Sequence, residues 1–428
     1  MINQSIKEIS PTSMAIAALS TIVEWYDFTL YLYFATVLSR VFFGGGEMSL
    51  IITLAGFAFS YMMRPFGAMF FGYIGDRYGR RRMMCLSMAL MTVTMMMTAL
   101  LPTYHQIGAV AGIFILLLRA VMAFSVGGEY TGVVAYLLEG TRRKRRGLVT
   151  SIASAASEIG ALLAVGVSAL TVSLISKTSL DDWGWRLPFF LGAVLAGSLW
   201  IARTSLQESP EFEQYAIRGT ALPLRYILSH HRLAIARTFA ISALGSITYY
   251  IGITYVPVFL TSASAFTEKD SLWLSTIAAA SVILITPMFG ALSDWVGRKP
   301  VLICLALTSI VLPLTLFPLM VNGNHSQTVF GAVVLACLAG GISAVGTSST
   351  AEQFPIEARL MGLALGATAA TTVFGGLTPY VAQAVMDRTG VILAPGLMIA
   401  VVAVCVLPVF IRMPETAPAK SETIVKKV

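Results

Sequence analysis

Six ionisable side chains stand inside otherwise apolar stretches of this sequence: Glu24 and Asp27 in the first stretch, Arg64 in the second, Arg119 and Glu129 in the fourth, and Glu158 in the fifth. A charge at the centre of a bilayer costs about 2.5 to 3.5 kcal/mol on insertion scales, so an ionisable residue kept there marks function by default. Glu24 and Asp27, three residues apart, fall on one helical face, with Tyr31 four residues beyond Asp27. At about 1.5 Å per residue, Arg119 reaches a depth similar to that of Asp27. A carboxylate beside a permanently charged guanidinium stays ionised, whereas a desolvated carboxylate that loses such a partner takes up a proton near neutral pH. The spacing therefore predicts Asp27 as a proton carrier, Arg119 as its partner and contact for a substrate anion, and Glu24 or Glu129 as a second proton site. The competing expectation is a fixed helix-to-helix ion pair that never titrates.

The other charges leave alternatives open. Glu129 lies about ten residues from Arg119, beside Gly127, Gly128 and Gly132. Those glycines permit close backbone approach, so gating or packing competes with proton transfer. Glu158 sits among Ser154, Ser157 and Gly160 and either contacts substrate or proton or bonds to neighbouring hydroxyls. Arg64 precedes Pro65 and either anchors a helix bend or attracts an anion. In the second half, Asp294 and Glu352 fall only at the ends of apolar stretches. Candidate substrate contacts there are neutral: Tyr249, Tyr250, Tyr255 and Thr378, matched by Tyr26 and Tyr31 in the first half.

The elements that must position these groups are membrane spans. The chain is 57% hydrophobic and 12% charged, with a mean hydropathy of +0.79, where a soluble domain has about 25% charged residues. Twelve windows long enough to span about 30 Å of hydrocarbon run over 14–39, 49–73, 83–102, 107–138, 148–174, 187–203, 235–262, 271–293, 301–321, 327–350, 360–386 and 391–412. An even number places both termini on one side of the membrane. Twenty-two of the 29 basic residues fall on that side, from Lys7 through Arg77, Arg80 to Arg82, Arg142 to Arg146, Arg203, Arg218, Arg298 and Arg359 to Lys420, Lys426 and Lys427. The positive-inside rule makes it cytoplasmic. The net charge of +8 follows from this topology and gives no reason to expect a nucleic-acid partner. Cys85, Cys304, Cys337 and Cys405 have spacings of neither a metal site nor a disulfide framework. No phosphate-binding loop and no metalloprotease helix motif occurs, and the four histidines lie at or outside span ends, so no catalytic constellation is expected. The polar residues 1–12 lead into a window with no small-residue cleavage site, which argues against a removable signal peptide.

A duplication organises the spans. The charged stretch from Thr204 to Arg232, with Pro210, Gly219 and Pro223, divides the chain into a six-span half over 1–203, a linker over 204–232 and a six-span half over 233–428. The loop after the second span, with Gly72, Asp76, Arg77, Gly79, Arg80 and Arg81, recurs after the eighth as Gly290, Asp294, Gly297, Arg298 and Lys299, 218 residues on. Glu139 to Gly147 echoes Glu352 to Gly362, and Arg203 to Pro210 echoes Arg412 to Glu415. Parallel six-helix repeats with a substrate site near the midplane are a known transporter plan.

The repeated loop and the twelve-span plan resemble the major facilitator superfamily over essentially the whole chain. Four further segments resemble its metabolite:proton symporters: Glu24-Trp25-Tyr26-Asp27-Phe28, Arg64-Pro65-Phe66-Gly67, Gly127-Gly128-Glu129-Tyr130-Thr131-Gly132 and Asp182-Trp183-Gly184-Trp185-Arg186. That branch carries citrate, tricarballylate, 2-oxoglutarate, shikimate and proline or betaine. Phe374 to Pro379 resembles the citrate and tricarballylate members, while Thr248 to Tyr250 and Thr254 to Pro257 resemble the osmolyte carriers. The chain departs from the branch at Ser20-Thr21, where Gly-Asn is usual, and at Met122-Ala123, where Gln-Gly is usual.

The resemblance implies an all-α fold of twelve transmembrane helices in two pseudo-symmetric halves. It implies proton-coupled symport by alternating access of a small organic anion or zwitterion, di- and tricarboxylates ahead of proline or betaine, with a facilitator or antiporter on the same fold as the alternative. It further implies a gate in which Asp76 accepts from a helix N-terminus and Arg77 and Arg80 contact a facing carboxylate, with Gly72 and Gly79 shaping the turn and Asp294 and Arg298 repeating it. The partners expected are the solute, protons and the lipid bilayer. The energy source is the proton gradient, with no cofactor or metal. The expected setting is the bacterial inner membrane, with a monomer as the working unit.

Overall fold

The computed structural model describes residues 9–45, 47–216, 224–263 and 268–417. Lys7, Arg218, Gly219, Pro223, Lys420, Lys426 and Lys427, used above for charge and linker assignment, lie outside the described residues. No strand occurs among those described. The first helix, α1, covers Pro11–Tyr33; Ser10 caps it by accepting from the Ser13 amide at 3.2 Å, and Pro11 supplies a preset first turn. After a break at Phe34 a short helix, Ala35–Phe43, completes the first apolar window.

Eleven further helices among the described residues are long and apolar enough to cross a membrane: α2 (Met48–Tyr78), α3 (Arg80–Leu100), α4 (Val110–Glu139), α5 (Arg143–Leu174), α6 (Arg186–Arg203), α7 (Arg232–Thr261), α8 (Trp273–Val296), α9 (Arg298–Asn322), α10 (His325–Ala351), α11 (Ile356–Thr389) and α12 (Ala394–Arg412). Each overlies one of the twelve windows. Helices are the form such windows must take, because hydrocarbon leaves backbone N–H and C=O groups no partner but the helix itself.

Lipid is as apolar as the helix surfaces, so contact between helices depends on close packing of small residues. A Cβ added at Gly67 of α2 would stand 1.8 Å from the Phe124 carbonyl oxygen of α4, and one at Gly127 of α4 would stand 2.2 Å from that of Arg64. These glycines let α2 and α4 touch backbone to backbone beside the candidate charges. Large apolar side chains such as Leu174, Trp295 and Tyr380 are exposed instead, as surfaces meant for lipid are.

The chain forms two compact units. One comprises the described residues of Lys7–Gly140 and Ala156–Ala221, the other those of Thr141–Ala155 and Leu222–Val428. The N-terminal unit has its core in Tyr26 and Leu30 of α1, Phe34 at the break that follows it, Met88, Met91 and Met95 of α3, and Trp185 with Phe189 at the start of α6. Trp185, fully buried, stands edge-on to Phe42 at 4.9 Å. In the C-terminal unit, α7 widens to a π-helix over Tyr250–Tyr255, and α11 does so over Ala364–Thr368 and Thr372–Gly376. Such widened turns concentrate at functional sites. The start of α5 belongs to the C-terminal unit because Gly290 of α8 lies against Ser151 and Gly147, too close for a Cβ on either glycine.

Candidate functional site

The N-terminal unit gathers five of the six sequence-selected charges around α1. Asp27 and Arg119 form a bidentate ion pair, with Nη1 to Oδ2 at 2.7 Å and Nη2 to Oδ1 at 2.9 Å, at 2% and 4% exposure. The Tyr31 ring lies 5.0 Å from the guanidinium carbon, and its hydroxyl donates to the Thr53 carbonyl at 3.2 Å. Two parallel N–H···O bonds fix the planar partners more firmly than a single contact would. The same fork would fit a solute carboxylate.

A second ion pair lies about three turns further along α4. Glu129 is bonded to Arg203, the last residue of α6, through Nη1 to Oε2 at 3.0 Å and a shorter Nη2 to Oε1 contact. Ser20 of α1 donates to Glu129 Oε1 at 3.1 Å and accepts from Arg203, and Ser87 of α3 donates to Oε2. Both ionic side chains have no exposure. Four helices are tied at one point, and Ser20, in one of the two segments where the chain departs from the pattern it resembles, is part of the knot. Arg203, counted from sequence only toward the charge of the terminal side, is a fully buried ion-pair partner at the end of its helix. Its signal was the depth of Glu129, which matches the end of α6.

The remaining candidates divide. Glu24, one turn before Asp27, is 3% exposed and belongs to neither of the two ion pairs. Arg64 lies over the rings of Tyr61 and Phe28, 4.3 and 4.9 Å from their centres, and donates to the Tyr61 hydroxyl at 3.3 Å. The Tyr26 hydroxyl donates to the Pro188 carbonyl at 2.8 Å, and its ring faces Gly192 of α6. Glu158 is buried on α5 at 3% exposure. In the C-terminal unit, Tyr249 and Tyr250 stand edge to face at 5.5 Å, with Tyr250 against Gly375 in the π-turn of α11. Tyr255 donates to Gln383 Oε1 at 2.7 Å, and Thr378 bonds within its own helix to the Phe374 carbonyl at 2.7 Å. These two hydroxyls are engaged within the unit.

The repeated loop builds the same clamp twice. Gly79 turns the chain at φ +105° and Gly297 at φ +114°, a conformation that side chains resist. After Gly79, Arg80 pairs with Asp76 at 3.1 Å and Glu139 at 2.9 Å, while Glu208 accepts from the Arg80 amide at 3.0 Å and caps α3. After Gly297, Arg298 pairs with Asp294 at 2.8 Å and Glu352 at 3.3 Å, while Glu415 accepts from the Arg298 amide at 2.8 Å and caps α9. Asp294 also accepts from the Gly147 and Leu148 amides at 2.8 and 2.9 Å, gripping the start of α5 where its orphan N–H groups and positive dipole end lie. Gly72 is buried in α2. Arg77 departs from expectation: it is exposed and lies over Tyr73 and Tyr78 instead of meeting a carboxylate. Glu139, Glu208, Glu352 and Glu415, none assigned a role from sequence, complete the clamps. Their signal was that the two weaker echoes carry a Glu in both copies. Outside the membrane, burial pushes the Glu208 carboxyl above the ordinary carboxylate range, against the opposing pull of the Ser209, Arg81 and Arg80 amides and the Arg80 charge.

Buried ion pairs within a duplicated array of membrane-spanning helices define a secondary transporter. Residues 13–221 match the sequence profile described as "Sugar (and other) transporter", and residues 263–427 match that of the "Major Facilitator Superfamily". The glycine betaine/proline/ectoine/pipecolic acid transporter of Dickeya dadantii is 31% identical over 95% of this chain and 84% of its own length. The citrate-proton symporter of Klebsiella pneumoniae is 29% identical over 90% and 87%, and the alpha-ketoglutarate permease of Escherichia coli is 32% identical over 86% and 85%. Among solved structures, a proton:xylose symporter bound to 6-bromo-6-deoxy-D-glucose shares the fold at a TM-score of 0.75, with 18% identity over 95% of this chain and 96% of its own. The chain belongs to the major facilitator superfamily, among its metabolite:proton symporters. It is a multi-pass membrane transporter, not an enzyme.

Proposed function

We propose that this protein couples the inward movement of protons to uptake of a small organic anion or zwitterion, with di- and tricarboxylates ahead of proline- or betaine-like solutes. The Asp27–Arg119 fork carries the reading. A solute carboxylate that takes the bidentate face of Arg119 deprives Asp27 of its partner in a buried site, and Asp27 then binds a proton. Solute and proton thus enter the same state together. The placement of Arg64 beside the same stretch of α1 supports an anionic group on the solute, as do relatives named for citrate and alpha-ketoglutarate. Tyr249 and Tyr250 supply neutral contacts from α7, where its widened turn begins. The clamps at Asp76 and Asp294 act as gates. The working protein is a monomer in the bacterial inner membrane with both termini cytoplasmic, drawing on the proton gradient with no cofactor.

Uptake of labelled citrate, tricarballylate, 2-oxoglutarate, shikimate, proline and betaine into proteoliposomes, with and without an inward proton gradient, tests this. The expected result is gradient-driven accumulation of one solute, abolished in Asp27→Asn. Uptake indifferent both to the gradient and to Asp27→Asn refutes symport and leaves a facilitator with structural charges.

A further inference from the structure

The segment that leads into α7 carries cations with no counter-charge. No acidic residue occurs between Glu213 and Glu268, while Arg225, Arg232 and Arg237 crowd into the same stretch. The stretch folds as a short helix, Leu224–His230, that turns at His231 into the start of α7. The side chain it buries is Ile227, and the helix rests against α7 and the start of α11. Leu224 and Leu228, four residues apart on one face, are exposed, with exposed Arg225 beside them and exposed Arg232 and Leu233 just past the turn. Tyr226 is stacked on His230 at 3.9 Å, so the aromatic side of the helix is already packed. Among the described residues the side chains of Arg225, Arg232 and Arg237 have no carboxylate partner, no hydrogen bond and no ring contact.

Position decides what lies opposite these cations. The membrane-crossing helix α7 begins at Arg232, and at about 1.5 Å per residue Arg237 stands about 7.5 Å further along its axis. The headgroup layer on each side of the hydrocarbon is about 5 to 7.5 Å thick. Arg232 and Arg237 therefore bracket that layer, and the short helix before them lies at its outer surface. A guanidinium offers a phosphate two parallel donors. A zwitterionic headgroup offsets part of that attraction with its own ammonium, whereas an anionic one does not. We propose that Leu224–Arg237 is a docking surface for anionic phospholipid headgroups of the leaflet it faces, which the proposed topology makes the cytoplasmic one. Arg225, Arg232 and Arg237 hold the phosphodiesters, and Leu224, Leu228 and Leu233 enter the apolar boundary beside them. Anionic lipid thus pins the entry of α7 to the membrane surface.

The test is hydrogen–deuterium exchange of the full chain, one copy per lipid nanodisc, in discs of phosphatidylcholine and in discs of equal parts phosphatidylcholine and phosphatidylglycerol. One basic residue near an anionic surface contributes about five-fold to binding. Amides over 224–231 are therefore expected to exchange at least about five-fold more slowly in the phosphatidylglycerol discs. R225Q/R232Q/R237Q is expected to abolish that difference and R225K/R232K/R237K to keep it. Equal exchange of the wild type in the two lipids overturns the proposal: equally slow exchange means that the protein itself covers the helix, and equally fast exchange that nothing does. A difference that survives in R225Q/R232Q/R237Q overturns it as well. Inorganic phosphate that slows exchange in phosphatidylcholine discs as much as phosphatidylglycerol does identifies a site for free anions and overturns the lipid assignment. The discs present the same lipid in both leaflets, so each outcome is independent of which side faces the cytoplasm, and failure here leaves the proposed topology standing.

Discussion

Replacing Arg203 by methionine tests whether the second buried pair ties the N-terminal unit together. In R203M, Glu129 keeps the Ser20 and Ser87 hydroxyls but loses both guanidinium bonds at zero exposure, and the Met84 carbonyl loses its bond from Arg203. Removing one member of a buried pair costs about 3 to 5 kcal/mol, because the other charge stays behind without compensation. For a unit of about 200 residues, 1 kcal/mol corresponds to about 2 to 4 °C in melting temperature, so a fall on the order of 10 °C is expected. In the double variant E129Q/R203M no charge remains, and the two serine hydroxyls can still bond the glutamine amide. Most of the loss is therefore recovered, giving a large favourable coupling in the mutant cycle. The assay is thermal unfolding of detergent-purified protein followed by the fluorescence of its six tryptophans. R203M melting with wild type, or a double variant that loses the sum of the two single losses, would refute the buried-pair assignment.

Two further outcomes follow from the clamps. Burial raises the Glu208 carboxyl above its ordinary value of 4.5, so the folded protein binds that proton more tightly than the unfolded chain does. The stabilisation is then full below the ordinary value and is lost as pH rises through the folded value. Thermal stability is expected to gain from this group on acidification from neutrality toward 4.5, and Glu208→Gln flattens that gain; an unchanged slope refutes the linkage. Gly79→Ala places a side chain at φ +105°, with its Cβ 2.2 Å from Glu208 Oε2, and is expected to cost about 1 to 3 kcal/mol from backbone strain alone. Gly108→Ala, at φ +65° with nothing within 4 Å, should lower the melting temperature less, and equal losses would show that contact with Glu208 plays no part.

The spans were legible because hydrocarbon thickness fixes how long an apolar run must be, and nothing in tertiary packing overrides that length. Asp27 and Arg119 were legible for a related reason: charges are so rare in such runs that depth alone matches partners. Arg203 was hidden by position, since it closes α6 where the polar linker begins and its charge looked like one more loop residue. Arg77 misled in the opposite way. Asp76 lies on the buried side of the last turn of α2, where Arg80 meets it from the start of α3 across the Gly79 turn, whereas Arg77 is rotated about 100° from Asp76. The second copy already held the correction, because Trp295 stands where the first has Arg77, and a position that accepts tryptophan needs no cation. The same comparison separates the two kinds of charge. Asp76, Arg80, Glu139 and Glu208 each have a counterpart in Asp294, Arg298, Glu352 and Glu415, with the same pairings and the same helix cap. Asp27, Arg119, Glu129 and Glu24 have none. Duplication preserved the clamps that both six-helix repeats use at their loops, while the charges within the bilayer belong to one repeat alone, the repeat in which the proposed proton coupling is placed.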